Sequence, residues 1–213
     1  MKNYFKNCKI LEDGNVYSKD MEHDACGVGL IASTEGKKSR KVVEYGINAL
    51  KAVFHRGAVD ADGKTGDGAG IHLEIPSDFF AEKIEITGHQ HDGSDICVGM
   101  IFLPRNDYQA QENARTLVES ELTKSNFNIY GWRQVPVNTK VLGEKANFTR
   151  PEITQVLFKN NNKSLKGKDL ERKLYESRRK IEKEAIKNAI EGFYICSLSS
   201  KSIIYKGMFL AES

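Results

Sequence analysis

Cys26-Gly27-Val28-Gly29-Leu30-Ile31-Ala32 follows directly on a polar, acidic stretch, Met21-Glu22-His23-Asp24-Ala25. The apolar run predicts a buried strand over residues 27–33 that begins at a cysteine. If residues 1–25 were removed, Cys26 would carry a thiol and a free α-amino group together. A thiol attacks well only as thiolate and therefore needs a base beside it. An α-amino group titrates at about 7.7–8.0 and can act as that base without a histidine. A cysteine at a strand start is ordinarily a small buried hydrophobe. Two later segments give this one a chemical context: His55-Arg56-Gly57-Ala58, and Ala61-Asp62-Gly63-Lys64-Thr65-Gly66-Asp67-Gly68-Ala69-Gly70-Ile71.

Taken with those segments, the chain resembles the class II glutamine amidotransferases, and among them the N-terminal domain of glutamate synthase large subunits. Related class II enzymes carry a compact Arg-Gly followed a few residues later by Ala-Gly, whereas this chain has a longer insert containing Thr65-Gly66-Asp67-Gly68. The resemblance continues through Phe102-Leu103-Pro104-Arg105, Gly131-Trp132-Arg133-Gln134-Val135-Pro136, residues 150–156 and residues 194–207. It implies an α+β fold, a four-layer αββα sandwich of the N-terminal-nucleophile hydrolase type. It also implies that residues 1–25 are a propeptide-like leader.

The activity implied is glutamine hydrolysis through a Cys26 γ-glutamyl thioester, with ammonia passing on to glutamate synthesis from 2-oxoglutarate. Cys26 is then both nucleophile and, through its α-amino group, base. Arg56 binds substrate or positions the nucleophile, where a fixed guanidinium favours thiolate. Gly27, Thr65, Gly66, Asp67 and Gly68 shape the pocket. Asp67 either contacts the substrate region or only holds its turn. The resemblance places the oxyanion-hole Asn-Gly pair and the residues that clamp glutamine downstream of the segment matching Tyr205-Lys206-Gly207. Residues 26–213 are therefore expected to be the N-terminal half of the domain, C-terminally incomplete and by itself a very poor glutaminase. FMN and an iron–sulfur cluster are implied only for downstream synthase domains, with no cofactor on this chain, and a small reductase subunit is an implied partner. Two other readings stay open: a stand-alone amidohydrolase of the same fold, and an inactive fragment acting only as a binding module.

Composition agrees with one globular domain: 213 residues, 39% hydrophobic. A net charge of +3 from 32 basic and 29 acidic residues is too balanced to call for nucleic acid or a membrane surface. No apolar run approaches the roughly 20 residues that span a bilayer, and residues 1–20 lack the apolar centre of a secretory signal. The four cysteines, Cys8, Cys26, Cys97 and Cys196, are far apart and form no Cys-x-x-Cys pair. A cytoplasmic protein with reduced thiols follows. Gly27-x-Gly29-x-x-Ala32 mimics a dinucleotide fingerprint, yet it has an acidic leader before it where that motif needs a strand. His89, Gln90, His91 and Asp92 read as a solvated loop between Gly88 and Gly93, with no metal site expected. His55 reads as a helix-end residue interacting with last-turn carbonyls. Basic and acidic residues alternate from Glu171 to Lys187, a solvated helix face with i,i+4 pairs.

Periodicity predicts a helix from residue 39, through Val43, Ile47, Leu50 and Phe54, that stops at Gly57. Strands are expected at 69–75, 95–103, 127–137 and 153–158. Helices are expected at 108–123 and 169–189, the second on a face of Leu170, Leu174, Ile181, Ala185 and Ala189 and ended by Gly192. Residues 193–198 and 202–205 predict a hairpin.

Overall fold

A computed structural model gives the structure, describing residues 2–14, 18 and 26–213; for residues 2–4 and Arg56 it describes the backbone alone. In chain order the elements are α1 (Lys2–Asp13), α2 (Arg40–Ala52) with a 3-10 turn Phe54–Arg56, β1 (Ala69–Glu74), α3 (Ser77–Ile86) and β2 (Ile96–Leu103). There follow α4 (Tyr108–Lys124), β3 (Phe127–Gln134), a 3-10 turn Thr139–Val141, α5 (Glu144–Thr149), β4 (Glu152–Asn160), α6 (Gly167–Lys187), β5 (Tyr194–Ser199) and β6 (Ser202–Gly207). The acidic stretch at residues 21–25, on which part of the leader expectation rests, lies outside the described residues.

β2 shows why the layers form. Its run Ile-Cys-Val-Gly-Met-Ile-Phe-Leu is apolar at every position, as a strand covered on both faces must be. Cys97, Ile101 and Leu103 face one way and meet Ala114, Val118 and Leu122 of α4 and Leu170, Leu174 and Ile181 of α6. Ile96, Val98 and Met100 face the other way and meet Phe80 and Ile84 of α3, Leu73 of β1 and Ile203 of β6. β2 lies inside a four-stranded antiparallel sheet ordered β3-β4-β2-β5, while β1 and β6 form a separate antiparallel pair. α2 lies against β1, close enough that a Cβ on Gly46 would touch Ile71 Cδ1 at 3.5 Å. Helices α4 and α6, the larger sheet, the smaller sheet and α2 thus give the layer order αββα.

Most expected elements form. Ser39 caps α2 by accepting a hydrogen bond from the Lys41 amide, and Asp107 caps α4 through the Ala110 amide. Three expectations need correction. Residues 26–33 do not form a buried strand: Val28 is 91% and Leu30 89% exposed. Apolar composition supplies strand propensity, but a strand exists only in a ladder, and neither sheet takes this segment up.

Residues 194–207 are not a hairpin. β5 pairs with β2 and β6 with β1, so the chain crosses from one sheet to the other. Glu171 of α6 holds the crossing, accepting from Ser199 Oγ (2.8 Å), Ser200 N (2.8 Å) and Ser200 Oγ (2.6 Å). Ser199 Oγ in turn accepts from the amides of Lys201 and Ser202. Lastly, α6 ends at Lys187, ahead of Gly192, because Ala189 adopts φ +49° and its amide and those around it close the last carbonyls.

Candidate active site

The glycine-rich insert folds back on itself. Asp67 N donates to Ala58 O (3.2 Å), Val59 bridges Gly66, and Asp60 N donates to Thr65 O (2.8 Å). Asp62 is the hub of this loop. Its Oδ1 accepts from Thr65 N (2.7 Å) and Lys64 N (2.9 Å), and its Oδ2 accepts from Thr65 Oγ1 (2.6 Å). The Thr65 hydroxyl bond, followed by the Thr65 and Lys64 amides, lowers the Asp62 carboxyl from 3.8 to about 2. Asp60 binds Lys145 Nζ at 2.8 Å, and that ammonium lowers its carboxyl as well. Lys145 lies in α5, so the insert is tied to a helix more than 80 positions away in sequence.

Two close approaches fix the loop further. Gly143, which caps α5, is so near that a Cβ there would sit 2.1 Å from both Asp62 Oδ2 and Thr65 Oγ1. A Cβ on Gly66 would lie 2.7 Å from the Phe209 carbonyl oxygen. Neither position has room for a side chain.

The insert and the arginine motif meet. A Cβ on Gly57 would stand 3.3 Å from Asp67 Oδ1, which puts the Asp67 carboxylate beside the end of the 3-10 turn holding Arg56. The Arg56 guanidinium itself lies outside the described residues. Cys26, Gly27, Gly57, Asp67 and Gly68 line one cleft of about 1080 Å³, whose other wall includes Met100 of β2 and Tyr205 of β6. Thr65 is buried, at 3% exposure, and neither it nor Gly66 lines the cleft, because Thr65 turns onto Asp62 and Gly66 packs against the Phe209 carbonyl. His55 is exposed and makes an edge-on contact with the Phe54 ring, 6.0 Å between centroids. Among the described residues no group of three or more His, Cys, Asp or Glu is disposed to hold a metal ion.

The cysteines separate by environment. Burial pushes the Cys97 thiol far up and raises that of Cys196, so both are poor nucleophiles. Cys8 sits in α1, half-buried. Cys26 is exposed, unpaired and on the cleft.

Residues 26–213 match the family of class II glutamine amidotransferases, and the match opens on Cys26. The chain belongs to that family. The chain is 55% identical over 206 residues to the glutamate synthase [NADPH] large chain of Azospirillum brasilense, covering 97% of this chain and 14% of that protein. It is 40% identical over 188 residues to ferredoxin-dependent glutamate synthase 2 of Synechocystis sp., covering 88% and 12%. It is 39% identical over 193 residues to the chloroplastic ferredoxin-dependent glutamate synthase of Spinacia oleracea, covering 90% and 12%. The chain therefore spans about one-eighth to one-seventh of the length of these relatives. Among its described residues no helix is long and apolar enough to cross a membrane.

Sequence reasoning singled out Cys26, which lines the cleft, together with Arg56 and the glycine-rich loop, but not the roles of Asp62, Lys145 and Gly143, which fix that loop. Asp62-Gly63-Lys64-Thr65 carries a local signal, an aspartate able to bond amides two and three residues on. The pairing of Asp60 with Lys145 leaves no local trace.

Proposed function

We propose that this chain is the glutamine-hydrolysing part of a glutamate synthase. The observation that carries the reading is that the family match opens on Cys26, the exposed cysteine of the cleft. The Cys26 α-amino group takes the thiol proton as sulfur attacks the glutamine carboxamide carbon. The tetrahedral adduct collapses, the C–N bond breaks, and the amine returns the proton to the departing ammonia. Water then attacks the γ-glutamyl thioester, releasing glutamate and the thiol. Arg56 stands in the turn beside Asp67 and orients this end of the chain, while Gly27, Thr65, Gly66, Asp67 and Gly68 shape the pocket.

On this reading residues 1–25 are a leader removed on maturation, and residues 26–213 form the first half of the amidotransferase domain. The ammonia serves glutamate synthesis from 2-oxoglutarate at a separate site. FMN, an iron–sulfur cluster and a reductase partner belong to that larger assembly, in the cytoplasm. Identity of 55% across 97% of the chain favours a synthase over a stand-alone amidohydrolase or a mere binding module.

Substitution in the complete gene product tests the reading. Cys26→Ala should abolish glutamine-dependent glutamate formation and leave formation from added ammonia intact. Arg56→Ala should weaken glutamine hydrolysis with less effect on thermal unfolding. A Cys26→Ala protein that still hydrolyses glutamine would need another nucleophile.

A further inference from the structure

Gln155 of β4 is wholly buried, although a buried primary amide is costly unless its groups are bonded. Both ends are satisfied. Arg133 of β3 donates from Nη1 to Gln155 Oε1 at 2.8 Å, and Gln155 Nε2 donates to the Tyr205 hydroxyl oxygen at 3.1 Å. The amide thus bridges the two sheets, since Tyr205 belongs to β6. The Arg133 guanidinium also lies 5.3 Å from the Phe79 ring centroid, which helps to fix its place.

The polarity of this relay follows from chemistry. A guanidinium can only donate, so the amide oxygen must face Arg133 and the amide NH₂ must face Tyr205. The tyrosine oxygen is then engaged as an acceptor, and its own proton points away from Gln155. Tyr205 is half-buried and lines the cleft that Cys26 lines. Among the described residues no acceptor takes that proton.

We propose that Tyr205 is a ligand-binding residue of the cleft, a hydrogen-bond donor to an oxygen of glutamine, held in that polarity by Arg133 and Gln155. The proposal rests on the glutamine reading above and names a recognition element within it. A donor of this kind suits a carboxylate or a carboxamide oxygen and has nothing to offer an ammonium group.

Tyr205→Phe and Gln155→Glu in the complete gene product test it, with steady-state glutamine hydrolysis and thermal unfolding read side by side. Tyr205→Phe removes the donor and should lower kcat/KM for glutamine about tenfold or more, as loss of a hydrogen bond to a charged or strongly polar group does. Gln155→Glu keeps the shape and pairs with Arg133, but a carboxylate only accepts, so the Tyr205 proton turns onto it. It should lower kcat/KM to a similar degree, and the double variant should be no worse than either single one. A merely structural amide predicts the reverse, with Gln155→Glu as active as the parent. Parent activity with either folded variant at the parental kcat/KM overturns the assignment of Tyr205 and leaves the glutamine reading standing. If Gln155→Glu does not fold, Tyr205→Phe decides alone. A parent protein that does not hydrolyse glutamine overturns both.

Discussion

At Asp62 one carboxylate takes the amides of Lys64 and Thr65 and the hydroxyl of Thr65, and Gly143 passes within contact of both residues. Gly143→Ala would drive a methyl group into that bonded pair, so the insert or α5 must move. The expected result is a loss of about 1–3 kcal/mol in urea unfolding, the usual scale for overpacking, together with a fall in glutamine hydrolysis. Acid should loosen the same place. The folded state lowers the Asp62 carboxyl from 3.8 to about 2. Its contribution is therefore complete above the unfolded value, and it is lost as pH falls through the folded one. Amide exchange at Lys64 and Thr65, corrected for intrinsic rates, should accelerate between pH 3.8 and about 2. Asp62→Asn should remove that pH dependence, and an unchanged profile in Asp62→Asn would assign the effect to another group.

Along β2 the two faces serve two cores, and Gly99 stands where the neighbouring strands press closest. A Cβ there would lie 2.7 Å from Val156 Cγ1 of β4 and 2.8 Å from Leu198 Cδ1 of β5. Gly99→Ala should cost about 1–3 kcal/mol by overpacking. Leu174→Ala on α6, fully buried in the outer core, should cost about 2–5 kcal/mol by leaving a cavity. Calorimetric or denaturant unfolding checks both. Elements with this kind of double burial or clear period were legible in sequence: β2 from its unbroken apolar run, and α4 and α6 from the spacing of Ala114, Val118 and Leu122 and of Leu170, Leu174 and Ile181. α3 and α5 were not anticipated, being short, with few periodic positions to count. The pairing of β5 and β6 was misread because strand propensity is local, while the choice of partner is made by Glu171 and by the free edges of β2 and β1. Residues 27–33 misled for the same reason, since their apolar character cannot form a ladder alone.

Across the whole molecule, the large sheet is buried between two apolar layers, and the cleft runs along the smaller sheet. Motifs separated in sequence meet there: the start of the family match at Cys26, the turn ending in Gly57, and Asp67-Gly68 at the end of the insert. The residue types at the site could be read from sequence because each motif is contiguous. The bracing from Lys145 and the relay from Arg133 through Gln155 could not, because both join positions brought together only by the layered fold. For Cys26 to act as nucleophile and base at once, its amine must be free. The most direct measurement is the N-terminal peptide mass of the gene product while it is hydrolysing glutamine. The expected peptide begins at Cys26, and an active enzyme in which Ala25 is still joined to Cys26 would rule out its amine as the base.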